Sequence, residues 1–180
     1  MKDLSELLYK DAHYCQNCAA ELTLTQDHEG KTRAVCSHCG FILYRNPIPA
    51  VACLVLNDAQ ELLLVKRKFA PAAGCWALPS GYMEIDQSPE ENALAELYEE
   101  TGLKGRIIRF VNWYFGFSPI YYRVLSLCFR IEVTGGILQA GDDAEEARFF
   151  TPESLPPVAF AAHRSFIFQE TWIETRPGGE

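Results

Sequence analysis

The run from Gly81 to Leu103, Gly81-Tyr-Met-Glu-Ile-Asp-Gln-Ser-Pro-Glu-Glu-Asn-Ala-Leu-Ala-Glu-Leu-Tyr-Glu-Glu-Thr-Gly-Leu103, constrains this chain more than any other stretch. Ser88 is a helix N-cap residue, Pro89 suits the first helical position, and Glu91 completes a capping box. Gly102 supplies the stop, because glycine enters the left-handed C′ conformation without strain. The pattern predicts a helix over 89–101. Glu96, Glu99 and Glu100 stand at i, i+3 and i+4 and share one face. Ala93, Leu94, Leu97 and Thr101 fall on the adjacent arc and read as its buried side. Like charges at this spacing repel by roughly a few tenths of a kcal/mol per pair. Glu99 and Glu100 also lie in the last turn, where the helix dipole disfavours anions. Charge set where it costs stability is either a solvated acidic face or a cation site. Carboxylate oxygens completed by water suit Mg²⁺ or Mn²⁺.

Four of the seven cysteines form Cys15-x2-Cys18 and Cys36-x2-Cys39, with 17 residues between the pairs. That spacing predicts a structural four-thiolate Zn²⁺ site, two knuckles closing over one ion. A disulfide reading fits poorly with a reducing cytosol. Cys53, Cys75 and Cys128 lie in apolar or strand-like contexts and are expected to be buried small hydrophobes. Residues 13–45 hold Lys31, Arg33 and Arg45 against Glu21, Asp27 and Glu29, so no basic stripe is available for nucleic acid. A packing or dimerising role suits the ribbon better, and a homodimer is one arrangement it would allow.

The chain has 180 residues and a formal net charge of −8, which argues against general affinity for nucleic acid or anionic membrane. No apolar run reaches membrane-spanning length, and Met1-Lys-Asp-Leu-Ser-Glu lacks the apolar region of a signal peptide. The expected location is the cytoplasm. Residues 1–12 read as an arm, 13–45 as the ribbon and 46–180 as the main domain. Within the last, Ala50–Leu56 reads as a buried strand and Glu61–Arg67 as its return. Further strands are expected over Arg106–Tyr114, Tyr122–Val133 and Ala147–Phe150, with a helix from Phe160 to Thr175. Strands, a helix, more strands and a last helix make an α+β fold, an α/β/α sandwich with a mixed sheet.

The run from Gly81 resembles the Nudix box, G-x5-E-x7-R-E-U-x-E-E-x-G-U with U aliphatic. Gly81, Glu96, Leu97, Glu99, Glu100, Gly102 and Leu103 match in register. Two positions depart: Gln87 stands for the first glutamate and Ala95 for the arginine. The resemblance implies a Nudix-like fold over residues 50–175. It also implies that Glu96, Glu99 and Glu100, with the Gly81 carbonyl, hold a catalytic Mg²⁺ or Mn²⁺. The implied reaction is hydrolysis of the pyrophosphate bond in a nucleoside diphosphate derivative. Glu99 and Glu100 would act in catalysis, as would Glu145 or Glu146 from the acidic stretch 142–146. The two exchanged positions leave open a nucleotide-binding regulator with weakened turnover.

The ribbon together with Tyr44-Arg-Asn-Pro47 and Leu155-Pro-Pro-Val-Ala-Phe160 is similar to the zinc-ribbon FAD and ADP-ribose pyrophosphatases. NADH pyrophosphatases carry a Ser-Gln-Pro-Trp-Pro-Phe-Pro type of signature that 108–119 lacks, and dinucleoside polyphosphates are a further alternative. The expected partner is thus a small nucleotide, with neither nucleic acid nor membrane. Trp76, Tyr82, Trp113 and Phe115, with Phe69, Tyr121 and Tyr122, are the aromatic candidates for a base slot. Arg67 and Arg123 are candidates for phosphate contact.

Overall fold

The computed structural model describes residues 9–141 and 143–171. Most of the expected arm, Asp142, and the expected helix beyond Thr171 lie outside them. The chain divides into two units, Met1–Asn46 and Pro47–Glu180.

The first unit carries an antiparallel sheet of β1 (Leu22–Gln26), β2 (Thr32–Cys36) and β3 (Ile42–Leu43), in that order. Asp27 closes the β1–β2 turn, its carboxylate accepting the backbone N–H groups of Glu29 and Lys31 at 3.0 and 2.9 Å. Carboxylates commonly close turns in this way.

The second unit follows as β4 (Ile48–Val55), β5 (Leu62–Arg67), β6 (Trp76–Ala77), β7 (Ser80–Tyr82), α1 (Pro89–Thr101), β8 (Leu103–Ser118), β9 (Tyr122–Gly136), β10 (Ala144–Phe150) and α2 (Ala161–Thr171). One sheet has the order β7-β4-β9-β8, with β4 parallel to β9 and the other pairs antiparallel. A second, antiparallel sheet has the order β10-β5-β6.

Strand β4 explains its own unbroken apolar run. Val51, Cys53 and Val55 pack with Ala93 and Leu97 of α1, whereas Ala52 and Leu54 pack with Phe166 and Ile167 of α2. A strand covered on both faces has no polar side to alternate with. The result is the expected α+β sandwich with a mixed sheet. Helix α1 keeps the predicted bounds. Ser88 and Glu91 exchange the two capping-box hydrogen bonds, and Gly102 sits at φ 68°.

Strand β9 runs past its expected end at Val133 to Gly136, and three further expectations need correction. Strand β8 starts at Leu103 and runs to Ser118, since shifts in register let it follow β9 for its whole length. Strand β10 starts at Ala144, because an irregularity at Glu145 lets Ala144 still pair with Arg67. Cys53 and Cys128 are buried, but Cys75 is exposed. Cys75 lies in the bend after Gly74, where its backbone, not its side chain, is held by Arg67.

Candidate functional site

Helix α1 meets the start of β7, at Ser80 and Gly81, through two of its carboxylates. Glu100 is 6% exposed, and one of its oxygens accepts the Ser80 N–H at 2.9 Å. Glu96 lies directly over Gly81: a Cβ built there would stand 1.8 Å from its Oε1. Glu99, on the same face, is exposed. Burial pushes the Glu96 carboxyl up to about 7, with the charges of Glu99, Asp143 and Glu84 adding to it. Burial likewise pushes Glu100 up to about 8, helped by Glu96 and Asp143 and opposed by the Ser80 N–H and Arg67. A buried, mutually repelling acidic group is costly unless protonated or neutralised by a cation. The donor chemistry fits a hard divalent ion with oxygen ligands, and a carbonyl at Gly81 would suit the same ion.

Asp143 and Glu84 also act on this site, although the sequence alone does not single them out. Asp143 is brought close by the preceding loop. Gln139 and Gly141 donate their backbone N–H groups to the carbonyls of Thr101 and Glu100, at 2.9 and 3.0 Å. That capping of the last helical carbonyls folds the acidic stretch against the helix end. The signal available was the stretch 142–146 itself. Glu145 and Glu146 turn elsewhere: Lys66 pairs with them at 3.3 and 3.2 Å.

Burial raises both the Glu100 carboxyl and the Tyr82 hydroxyl, and Arg67, at the end of β5, comes close enough to oppose both shifts electrostatically. Its Nε donates to the Pro71 carbonyl at 2.9 Å, and its guanidinium lies over the Phe160 ring, 5.3 Å from the centroid. Tyr82, 44% exposed, meets Tyr121 edge to face at 5.0 Å, forming an aromatic wall beside Gly81.

Trp76, Trp113 and Phe115 stand apart from this wall. Trp76 packs in the α2-side core with its ring edge on Phe150 at 4.8 Å. Trp113, 58% exposed, aligns across the sheet with Leu127, Val51 and Gly81. That is three strand spacings, about 14 Å, from Gly81. Phe115 lies further along β8 with Arg123 over its ring.

The two exchanged box positions have a local consequence. Asn92 Nδ2 donates to Gln87 Oε1 at 2.9 Å, so two amides tie the loop to the helix start. Ala95 leaves no cation there, and Gln87 leaves no anion. The exchange therefore creates no unpaired charge.

In the first unit, the sulfurs of Cys15, Cys18, Cys36 and Cys39 all lie within 4.8 Å of one another. Neighbouring Sγ atoms are 3.5–3.6 Å apart. A disulfide would need about 2.05 Å. A zinc tetrahedron with bonds of about 2.3 Å has edges of about 3.8 Å. The knuckles are built alike: Ala19 at φ 58° and Gly40 at φ 75° each donate back to the first cysteine of their pair. The N–H groups of Cys39 and His38 lower the Cys36 thiol to about 6, while burial and the neighbouring thiols raise Cys18 and Cys39, so the four groups share protons as one cluster.

The expected effect of Gly81→Ala follows from the contact with Glu96. The clash meets the tip of a side chain, so the fold accommodates it and the carboxylate moves. Mn²⁺ affinity, read by calorimetric titration, should fall about tenfold or more while the melting temperature stays nearly constant.

Residues 46–169 match the NUDIX domain family model, and residues 13–45 match that of the Nudix N-terminal zinc ribbon. An ADP-ribose pyrophosphatase of Methanocaldococcus jannaschii is 41% identical over 121 residues, 66% of this chain and 70% of that protein. An NAD-capped RNA hydrolase, NudC, of Pseudomonas aeruginosa is 30% identical over 149 residues, 81% of this chain. The matched region spans only 50% of that hydrolase's length. The crystal structure of a NUDIX hydrolase from Nitrosomonas europaea superposes with a TM-score of 0.76 at 26% identity, covering 93% of this chain and 96% of that one. The fold, the carboxylate helix and these matches define the class: a hydrolase of the pyrophosphatase type. The chain belongs to the Nudix family, its NUDIX domain preceded in sequence by the family's N-terminal zinc ribbon. No helix among the described residues is long and apolar enough to cross a membrane.

Proposed function

We propose that this Nudix hydrolase cleaves the pyrophosphate bond of ADP-ribose or FAD in an Mg²⁺-dependent reaction, with a Zn²⁺ in the ribbon serving structure alone. The observation that carries the reading is the convergence of Glu96, Glu100, Gly81 and Arg67 beside the Tyr82–Tyr121 wall. Glu96, Glu99 and Glu100, with the Gly81 carbonyl, would hold the cation. Bound there, it neutralises phosphate charge and makes water a better nucleophile at neutral pH.

The chain's own groups supply the rest. Arg67 takes a phosphate oxygen. The tyrosine wall takes the flat base by stacking. Glu100 has one oxygen on the Ser80 N–H, which leaves the other to accept a proton from the attacking water. Asp143 shares the field of Glu96 and Glu100 and is the better placed second acid; Glu145 and Glu146 are engaged by Lys66. ADP-ribose ranks first because the archaeal relative at 41% identity is an ADP-ribose pyrophosphatase.

With Mg²⁺, the purified protein should release AMP from ADP-ribose or FAD. Glu99→Gln should cut that turnover by about a thousandfold, the order expected for loss of a charge-stabilising group. A chromatographic panel of ADP-ribose, FAD, NADH and dinucleoside polyphosphates reads this out. Tight calorimetric binding of ADP-ribose without AMP release would make the protein a nucleotide-binding regulator instead, the reading that Gln87 and Ala95 favour.

A further inference from the structure

We propose that Phe160 and His163, where the chain enters α2, are positioning residues that jointly aim Arg67 and the Leu78–Gly81 segment at the carboxylate site. This rests on the reading of Arg67 as a phosphate contact.

The Arg67 head group has two restraints. Its Nε is tied to the Pro71 carbonyl at 2.9 Å, and its guanidinium plane has the Phe160 ring 5.3 Å away. An arginine held over a ring face gives up little further freedom when it binds an oxyanion. The opposite side of the relay begins at the Phe160 ring, which meets the His163 imidazole edge to face at 5.1 Å. His163 is 5% exposed, and its Nδ1 accepts the Leu78 N–H at 3.2 Å. Two residues later the Ser80 N–H holds Glu100, and the next residue, Gly81, lies under Glu96. The segment is therefore held by α2 at Leu78 and by α1 at Ser80, in addition to the β4 ladder that carries Ser80 and Gly81.

The imidazole can do this only as a neutral acceptor, since a protonated ring would set one N–H against another. Burial, aided by Arg67 and Arg164, lowers its pKa to about 3 and keeps it neutral. The relay has a fixed base. Ala159 donates to the Trp76 carbonyl at 2.8 Å, and Arg164 Nη1 donates to the carbonyls of Val158 and Ala159 at 2.7 and 2.9 Å. One short stretch of chain thus fixes an anion-binding side chain and a ligand-bearing segment together. A core histidine packed against a phenylalanine would need neither alignment.

A double-mutant cycle separates positioning from packing, with kcat, KM and melting temperature measured for ADP-ribose with Mg²⁺. Arg67→Ala should lower kcat/KM about a hundredfold, the scale of a lost charge-assisted contact. Phe160→Leu keeps apolar volume but removes the ring face. It should lower kcat/KM about tenfold in the wild-type background, chiefly through KM, and less than about twofold alongside Arg67→Ala. The drop in melting temperature from Phe160→Leu should be the same in both backgrounds. An equal kinetic loss in both, or none in the wild type, overturns the inference while leaving Arg67 its role. No effect of Arg67→Ala overturns that role and this inference together, and no response to either ADP-ribose or FAD removes the functional reading beneath both. For His163, Asn places an oxygen near the Nδ1 position and Leu does not. His163→Asn should keep kcat within about threefold and His163→Leu should lose at least about tenfold, as for a positioning hydrogen bond. Equal kcat in the two variants overturns the part assigned to His163.

Discussion

Freed of Mg²⁺ and Mn²⁺ without stripping the ribbon, the protein should lose stability as pH rises from about 5 to about 8.5, and Mg²⁺ should restore it. The cause is the pair Glu96 and Glu100. Unfolded, each titrates near its ordinary 4.5; folded, they hold their protons to about 7 and about 8. Below the unfolded value both states are protonated and this term vanishes. Between the two values the unfolded chain ionises freely while the folded one resists, so stability drains away as pH rises through the folded values. For the well-buried Glu100 the penalty above pH 8 is on the order of 5 kcal/mol. Glu100→Gln keeps an acceptor for the Ser80 N–H and cannot ionise. It should therefore be more stable than the parent at pH 8.5 without Mg²⁺, and turn over substrate about a thousandfold more slowly with it. Thermal melts across pH, with and without Mg²⁺, read the first effect. A flat parent profile, or a variant less stable than the parent at high pH, would refute the cost assigned to these carboxylates.

The larger loss in structure should come from the ribbon. Among the described residues both apolar clusters lie in the second unit, and the first unit buries little beyond Tyr9, Ala34 and the cysteines, so residues 13–45 fold around short strands, two knuckles and four sulfurs. Small units of this kind depend on a staple. Structural zinc supplies on the order of 10 kcal/mol of folding free energy in peptides of similar size. Elemental analysis should find one zinc per chain. Cys36→Ser, or stoichiometric release by a mercurial, should unfold residues 13–45, with their amide resonances collapsing to random-coil shifts. Retained dispersion after complete metal loss would contradict this account of the ribbon.

Much of this architecture could be read without coordinates, for identifiable reasons. Helix α1 was legible because its signals are local: a capping box, a proline and a glycine fall within one short run. The cysteine cluster was legible because ligand spacing is itself local. Strand β4 was legible because two-sided burial erases alternation. What escaped depends on pairing between distant segments. Trp76 and Trp113 are equally aromatic on paper, yet one fills a core and the other lies at the far edge of the sheet. Nothing local told Asp143 from Glu145 and Glu146; an irregular register opposite β5 and the capping of α1 by Gly141 did. Phe160 and His163 read as ordinary helix-start residues until Leu78 and Arg67 arrived beside them.

The parallel pairing of β4 with β9 also bears on how the protein is made. Ile48 must find Val124 on one edge of β4, while β7 takes the other edge. Closing such a long connection is the slow part of a folding reaction. The site's own carboxylates repel one another, so without a cation they do not drive that closure. A cation held there would act mainly on the lifetime of the finished molecule, lengthening the wait before unfolding, and would do little to hasten the search that precedes it.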